Sequence, residues 1–124
     1  MEDFDTLCSS FPGAGLTIQW GGSHVYKIGG KIFAMAGLPE PDAPLSVIFK
    51  TSEITAHILL EAGSARKSSY LPQGNWLEVS GSAMSAADLA DYLRQSHDFV
   101  GQTLPRRIRS GFGVGDSSAK VGKR

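Results

Sequence analysis

Basic and aromatic side chains are interleaved through the middle of the chain, and they are the residues best suited to binding chemistry. Lysine and arginine pair with phosphate groups, and tyrosine and tryptophan rings stack on nucleic-acid bases. The pattern therefore predicts a nucleic-acid-binding surface. Its candidate residues are Lys27, Lys31, Lys50, Arg66, Lys67, Tyr70 and Trp76. A simpler alternative stays open, in which the aromatic rings pack in the core and the lysines fringe a solvated sheet.

Residues for metal binding or catalysis are sparse. The histidines His24, His57 and His97 lack the four-residue spacing of a metal-binding helix. Ser23-His24 and Ser96-His97 are adjacent pairs, but neighbouring side chains point to opposite faces of a strand and diverge on a helix. Neither pair can act as nucleophile and base through local geometry alone. The sequence therefore predicts no metal, no cofactor and no enzymatic activity.

The composition is that of a folded domain. The 124 residues are 41% hydrophobic and 19% charged, which is ordinary for a globular chain, and the length suits one domain. No apolar run approaches the roughly 20 residues that span a bilayer, and the acidic amino terminus does not resemble a secretory signal. The single cysteine, Cys8, cannot form an internal disulfide. We therefore expect a cytoplasmic protein with a buried thiol and no membrane partner.

The net charge of zero hides an asymmetry along the chain. From Pro105 onward six basic residues face one acidic residue, a net charge of +5, whereas residues 1–104 carry six basic and eleven acidic residues, a net charge of −5. A polyanion would be repelled by the body overall and attracted by the carboxy-terminal part. Residues 110–124 are rich in Gly, Ser and Lys with few apolar groups. We predict a flexible basic tail there and a single domain over 1–109.

Hydrophobic spacing predicts an antiparallel sheet backed by helices. Helices are expected over 2–11, after a cap at Thr51 or Ser52, and from Ser85 to Leu104, and strands at 16–20, 24–28, 31–37, 45–50 and 75–79. Consecutive strands joined by tight turns imply antiparallel pairing. The expected fold class is α+β in two layers, with about five strands and the helices packed on one face.

The dipeptide at 29–30 is Gly-Gly and predicts a two-residue hairpin turn, because primed turns require positive φ. This register pairs Lys27 with Ile32 and Ile28 with Lys31. It places Lys27 on one side of the hairpin, and on the other side it places Tyr26, Ile28, Lys31, Phe33 and Met35.

Two further apolar patterns predict buried faces. Leu16, Ile18 and Trp20 alternate with polar residues in the first strand, which predicts a half-buried strand with these three side chains on its buried side. Ile54, Ile58 and Leu59 recur at helical spacing in the second helix, which predicts its buried stripe.

The order and spacing of several short motifs resemble the MmcQ/YjbR family of small bacterial proteins, which belongs to the YjbR/CyaY-like superfamily. The matching segments are Trp20 with SHVYKIGGKIFA at 23–34, VIFK at 47–50, Tyr70 with GNWL at 74–77, and YLRQSHDFV at 92–100. The resemblance covers roughly residues 3–109. It implies a curved antiparallel sheet backed by helices and a DNA-binding role, with no catalytic residue and no cofactor. The family's recurring polar and aromatic positions fall here on Trp20, His24, Lys27, Lys31, Lys50, Tyr70 and Trp76.

Three functions remain open from the sequence. The leading expectation is a non-enzymatic protein that binds DNA weakly and electrostatically through an exposed sheet face and the adjoining loops. The alternative of a different class is an adaptor that holds a protein partner at an open sheet face or an edge strand. Sequestering of a small molecule in an apolar cavity is the third.

Overall fold

The computed structural model describes residues 1–19, 21–38, 40–68, 71, 74–81 and 83–112. The helices are α1 (Glu2–Ser9), α2 (Glu53–Glu61), α3 (Ala86–Gly101) and α4 (Arg106–Phe112). The strands are β1 (Ala14–Gln19), β2 (Ser23–Ile28), β3 (Lys31–Gly37), β4 (Ser46–Lys50), β5 (Arg66–Lys67) and β6 (Trp76–Ser80). They form one antiparallel sheet in the order β1-β2-β3-β4-β6-β5. The predicted α+β class is confirmed.

Two short elements go beyond the sequence prediction. β5 has two residues and lies in a stretch that we predict as a loop, so the described residues form a sheet of six strands rather than about five. α4 begins after Pro105 and ends at Phe112, three residues into the predicted tail. Neither element is long enough to produce a clear hydrophobic period. The rest of the predicted tail, 113–124, lies outside the described residues.

The helical layer packs on one face of the sheet and forms the main core with it. α1 and α3 both contact this face. Side-chain hydroxyls cap two helices as predicted, since Ser52 accepts from the Thr55 amide and Ser85 from the Asp88 amide, each at 3.1 Å. The largest fully buried side chains of the main core are Tyr26, Ile28, Phe33, Phe49, Leu77 and Leu93.

A β-bulge in β3 decides which side chains face the helices. The predicted pairing of Lys27 with Ile32 is confirmed, but the ladder shifts at this point and Phe33 has no partner in β2. Phe33 and the following Ala34 both belong to the main core, and Met35 is the next side chain on the other face. The prediction that Met35 shares a side with Phe33 is therefore wrong, because one extra residue reverses the alternation beyond it.

Ser96 of α3 holds this bulge in place. Its hydroxyl donates to the Phe33 carbonyl oxygen at 2.5 Å and accepts from the Lys50 amide at 2.8 Å. Phe33 precedes Ala34 and Lys50 follows Phe49, so both lie just beyond the Ala34–Phe49 pair at which regular β3–β4 pairing ends. The fully buried Ser96 hydroxyl thus bridges the bulged residue of β3 to β4 beyond their last regular pair, and it supplies hydrogen-bond partners for both backbone groups.

Both predictions of buried stripes need correction. Leu16 is 48% exposed and Ile18 is 53% exposed, because β1 is an edge strand with a neighbouring strand on one side only. On α2, Leu59 is buried as predicted, but Ile54 and Ile58 are 74% and 58% exposed. That helix is apolar on several sides, so its residue spacing does not select the buried one.

We expect the substitution Ser96→Ala to destabilise the protein by about 1–3 kcal/mol, because it leaves a part-buried amide and a buried carbonyl without their partner. Urea unfolding followed by circular dichroism measures the change. Ser9→Ala is the matched control, since that hydroxyl also donates to a backbone carbonyl but lies on the exposed side of α1; it should change stability by less than about 0.5 kcal/mol. Equal effects of the two substitutions would contradict the role given to Ser96.

Candidate nucleic-acid interface

Antiparallel pairing brings four lysines to the same end of the sheet. Lys27 is the penultimate residue of β2, Lys31 begins β3, Lys50 ends β4 and Lys67 ends β5. Neighbouring strands run in opposite directions, so the end of one strand lies beside the start of the next. The pairs Ile28–Lys31 and Lys50–Trp76 show that these lysines lie at the same end of the strands. We call this the basic end.

Helices α3 and α4 add to the basic end. The Lys31 ammonium donates to the Thr103 hydroxyl at 3.1 Å, and a Cβ on Gly29 would lie 2.9 Å from the Leu104 side chain. The segment after α3 therefore packs at the hairpin turn. α4 starts there with Arg106 and Arg107, both exposed.

Most acidic residues lie toward the other end of the molecule, which we call the acidic end. The loop between β3 and β4 and the first turns of α1 and α3 meet there, around a cleft that Asp3, Pro44 and Leu89 help to line. The acidic residues in these segments are Glu2, Asp3, Asp5, Glu40, Asp42, Asp88 and Asp91. Among the described carboxylates, Glu53 and Asp98 are placed by their elements toward the basic end. The body with net charge −5 thus has one end where basic side chains predominate.

The four lysines do not share one face of the sheet. Lys31 lies on the helix side, since it contacts Thr103 beyond α3. The alternation of side chains along each strand puts Lys27 and Lys50 on the face away from the helices, which we call the outer face. It puts Lys67 on the helix side, opposite Leu77. The basic end is therefore a rim around the ends of the strands.

The centre of the outer face is apolar and buried. Val25, Met35 and Ile48 form a second cluster there, each at most 3% exposed. Leu71, from the segment between β5 and β6, packs against this cluster. The expectation of an exposed basic sheet face is corrected by this finding, because the chain covers part of that face with its own residues.

Trp76 is half-buried and lies beside Lys50. The Lys50 ammonium is 5.8 Å from the centre of the indole ring, within the range of a cation–π contact. Trp76 also packs against both apolar clusters. A base that stacks on this ring would have to share it with Lys50. Tyr70, the other predicted stacking residue, lies outside the described residues, as does Trp20.

Arg66 forms an ion pair with a carboxylate of its own chain. Its guanidinium donates to Glu78 Oε2 at 3.0 Å, and the Ser46 hydroxyl donates to the same oxygen at 2.5 Å. Glu78 is almost fully buried, so loss of Arg66 would leave a buried charge without its cation. Arg66 therefore belongs to the candidate set mainly as a structural residue.

His24, Asp5 and Tyr26 join β2 to α1. His24 Nδ1 lies 2.8 Å from Asp5 Oδ1, and the Tyr26 hydroxyl donates to the same oxygen at 2.9 Å. Burial, the hydrogen bond to Asp5 and its negative charge raise the pKa of Tyr26 well above its ordinary value. Burial, with a smaller contribution from Asp5, raises the pKa of the Cys8 thiol to about 12. A thiol with so high a pKa is a poor nucleophile. The contacts of Asp5 with His24 and Tyr26 hold α1 against the sheet.

His97 also has a structural position. Its ring lies in the main core with Phe33, at 5.0 Å between ring centres, and with Phe11, at 5.2 Å. His97 Nε2 donates to the Pro12 carbonyl oxygen at 2.7 Å, which holds the chain after α1 against α3. His57 lies exposed on α2.

Several cavities lined by the described residues could receive a small molecule. Two of about 260 and 300 Å³ lie on either side of Ser46 and Glu78, and one of about 410 Å³ opens between α1 and α3. The third is lined mainly by apolar side chains, including Phe4, Leu7 and Leu93. Their volumes fall at or below the lower part of the range for ligand pockets.

The part of the chain that the structure describes shows no group of three or more His, Cys, Asp or Glu side chains placed to hold a metal ion. Within the same residues, no helix has the length and apolar character needed to cross a bilayer.

Comparisons with known proteins agree with this fold. The YjbR family model matches residues 9–99, which is most of the chain, and the chain belongs to that family. The crystal structure of Deinococcus radiodurans protein DR2400, described as a DUF419 family-model domain, is similar with a TM-score of 0.81 and 22% identity, over 94% of this chain and 89% of that one. A search of curated proteins finds no match. The resemblance drawn from the sequence motifs is confirmed, and the structural likeness concerns the fold.

The sequence did not reveal three residues that shape this region. Ser96, Glu78 and Thr103 act through contacts between residues 12 to 72 positions apart. Glu78 and Thr103 belong to no local motif, and the motif at 92–100 that contains Ser96 does not indicate which backbone groups its hydroxyl contacts. The basic character of Arg106 and Arg107 was visible in the sequence, but their place beside the hairpin depends on where α3 ends.

We expect the Cys8 thiol to resist iodoacetamide in the native protein at pH 8 and to react readily in denaturant, because it is buried and its pKa is raised. The raised pKa in the folded state also means that Cys8 contributes stability below its ordinary pKa of 9.0, and that this contribution is lost as pH rises toward about 12. Mass spectrometry measures alkylation, and urea unfolding at several alkaline pH values measures stability. Rapid modification of the folded protein at pH 8 would contradict this description of Cys8.

Proposed function

We propose that the protein binds nucleic acid through the basic end of the sheet and that it is not an enzyme. The observation that carries the proposal is the separation of charge, with Lys27, Lys31, Lys50 and Lys67 at one end of the sheet and most carboxylates toward the other. Such a separation lets a protein with no net charge attract a polyanion to one end and repel it from the other. The phosphate backbone is the natural ligand of an array of this kind.

The residues of the basic end differ in exposure and in contacts, and we assign them different roles in binding. Lys31 and Lys67 are exposed and can approach phosphates with little rearrangement. Lys50 lies over the Trp76 ring, so it can meet a phosphate beside a base that contacts the edge of the indole. Arg106 and Arg107 extend the same surface along α4. This arrangement favours contacts to the backbone over reading of the base sequence.

The cytoplasm is the compartment that we propose for this activity. It contains nucleic acid, and its reducing conditions suit a chain whose one cysteine is a buried free thiol.

Fluorescence anisotropy with a labelled DNA duplex at low salt tests the proposal. With about three to five phosphate contacts, log K should fall with log salt concentration with a slope of roughly −3 to −4.5. The double substitution Lys31→Gln/Lys67→Gln should weaken binding to all sequences and reduce the magnitude of the slope by about 2. Lys31→Ala alone should change the free energy of unfolding by less than about 0.5 kcal/mol.

Arg94→Gln is the matched control, because it removes one exposed positive charge from the middle of α3, away from the basic end. Its binding should stay within about twofold of the unsubstituted protein. Absence of binding at high micromolar protein would refute the proposal. Binding that is lost only when 105–124 are removed would refute the role of the strand lysines.

A further inference from the structure

The two edges of the sheet are protected to very different degrees. β5, at one edge, has two residues and both are basic. Short length and positive charge are the features by which edge strands avoid pairing with other chains. β1, at the other edge, has six residues with the sequence AGLTIQ and contains no charged residue and no proline. The structure thus leaves a long uncharged edge at β1.

The surroundings of β1 are open. Leu16 and Ile18 expose about half of their surface on the side of the sheet that carries α1. A Cβ added at Gly15, or at Gly21 in the turn that follows β1, would meet no atom within 4 Å. No strand of the described part of the chain pairs with the outer edge of β1. Another strand could therefore approach this edge without moving the fold.

We propose that β1 pairs with β1 of a second copy of the chain, antiparallel and about a two-fold axis perpendicular to the sheet. The strand sequence is complementary to itself in this arrangement. With the axis at Thr17, Leu16 faces the partner's Ile18 and Ile18 faces the partner's Leu16, so four exposed apolar side chains bury one another. Gly15 then faces the partner's Gln19, and no like charges oppose each other across the strands.

The charge distribution selects a second copy as the occupant. An antiparallel partner is inverted, so the acidic end of one copy lies beside the basic end of the other. The opposite charges of the two ends therefore favour this inverted arrangement of two copies. This proposal does not depend on nucleic-acid binding.

Sedimentation equilibrium of the purified chain over low to high micromolar concentrations tests the proposal. We expect a reversible monomer–dimer equilibrium. Ile18→Lys should weaken the dimer by about tenfold or more, since it places a charge against the partner's apolar side chain and removes two apolar cross-strand contacts. Ile58→Lys is the matched control, because it changes an equally exposed isoleucine on α2, and its dimer should be as strong as that of the unsubstituted chain.

A charge exchange tests the register. Leu16→Lys/Ile18→Lys opposes like charges in the proposed pairing and should give monomers, whereas Leu16→Glu/Ile18→Lys opposes unlike charges and should associate more strongly than the first double variant. Thermal unfolding followed by circular dichroism shows that each variant is folded.

Three results would overturn the proposal. If the unsubstituted chain stays monomeric at every concentration, the β1–β1 dimer is excluded, and a strand of a different protein becomes the candidate occupant of the β1 edge. Loss of the dimer in Ile58→Lys alone would move the interface to α2. Equal association of the two double variants would exclude the pairing of Leu16 with the partner's Ile18.

Discussion

The hydrogen bonds of Ser96 to the bulge in β3 set the geometry on which the rest of the molecule depends. The bulge turns both Phe33 and Ala34 toward the helices, and Ser96 supplies partners for the Phe33 carbonyl and the Lys50 amide. Without the extra residue, regular alternation would put Phe33 and Met35 on the same face of the sheet. The bulge therefore allows one strand to fill the main core with Phe33 and the outer cluster with Met35. It also fixes the ends of β3 and β4, where Lys31 and Lys50 lie.

The separation of charge follows from this topology. Antiparallel pairing makes alternate strand ends meet, and the lysines occur at the ends that meet on one side. The helices begin at or near the acidic end in the case of α1 and α3, where carboxylates are also favourable for the helix dipole. One sequence arrangement thus satisfies helix electrostatics and leaves a positive end. The negative charge of residues 1–104, taken as a whole, does not describe the potential that a ligand would meet there.

The sequence predicts much of the fold because the signals are local. Gly29 and Gly30 require a tight turn, and both have positive φ, so the register of Lys27 with Ile32 follows from the turn alone. Ser52 and Ser85 mark helix starts for the same local reason. The side on which Met35 lies could not be predicted, since the bulge depends on a contact from α3, 63 residues beyond Phe33. The exposure of Leu16 depends on the place of β1 in the strand order, which hydrophobic alternation does not contain.

The candidate site was predicted in composition but not in arrangement. Lys27, Lys31, Lys50 and Lys67 lie at one end of the sheet, and their role in binding stays a prediction, whereas Arg66 pairs with the buried Glu78. The expected open sheet face is instead an apolar cluster partly covered by Leu71. Sequence spacing identifies which face of a strand a residue occupies, but the covering of that face depends on a segment that has no periodic pattern of its own.

A titration of isotope-labelled protein with a short DNA duplex, followed by amide chemical shifts in NMR spectra, tests the central claim most directly. We expect shifts to concentrate at 27–31, at Lys50, at Lys67 and at the start of α4, and amides at 40–42 and in the first turn of α3 to stay unchanged. Shifts confined to 113–124, or spread equally over both ends of the sheet, would contradict it.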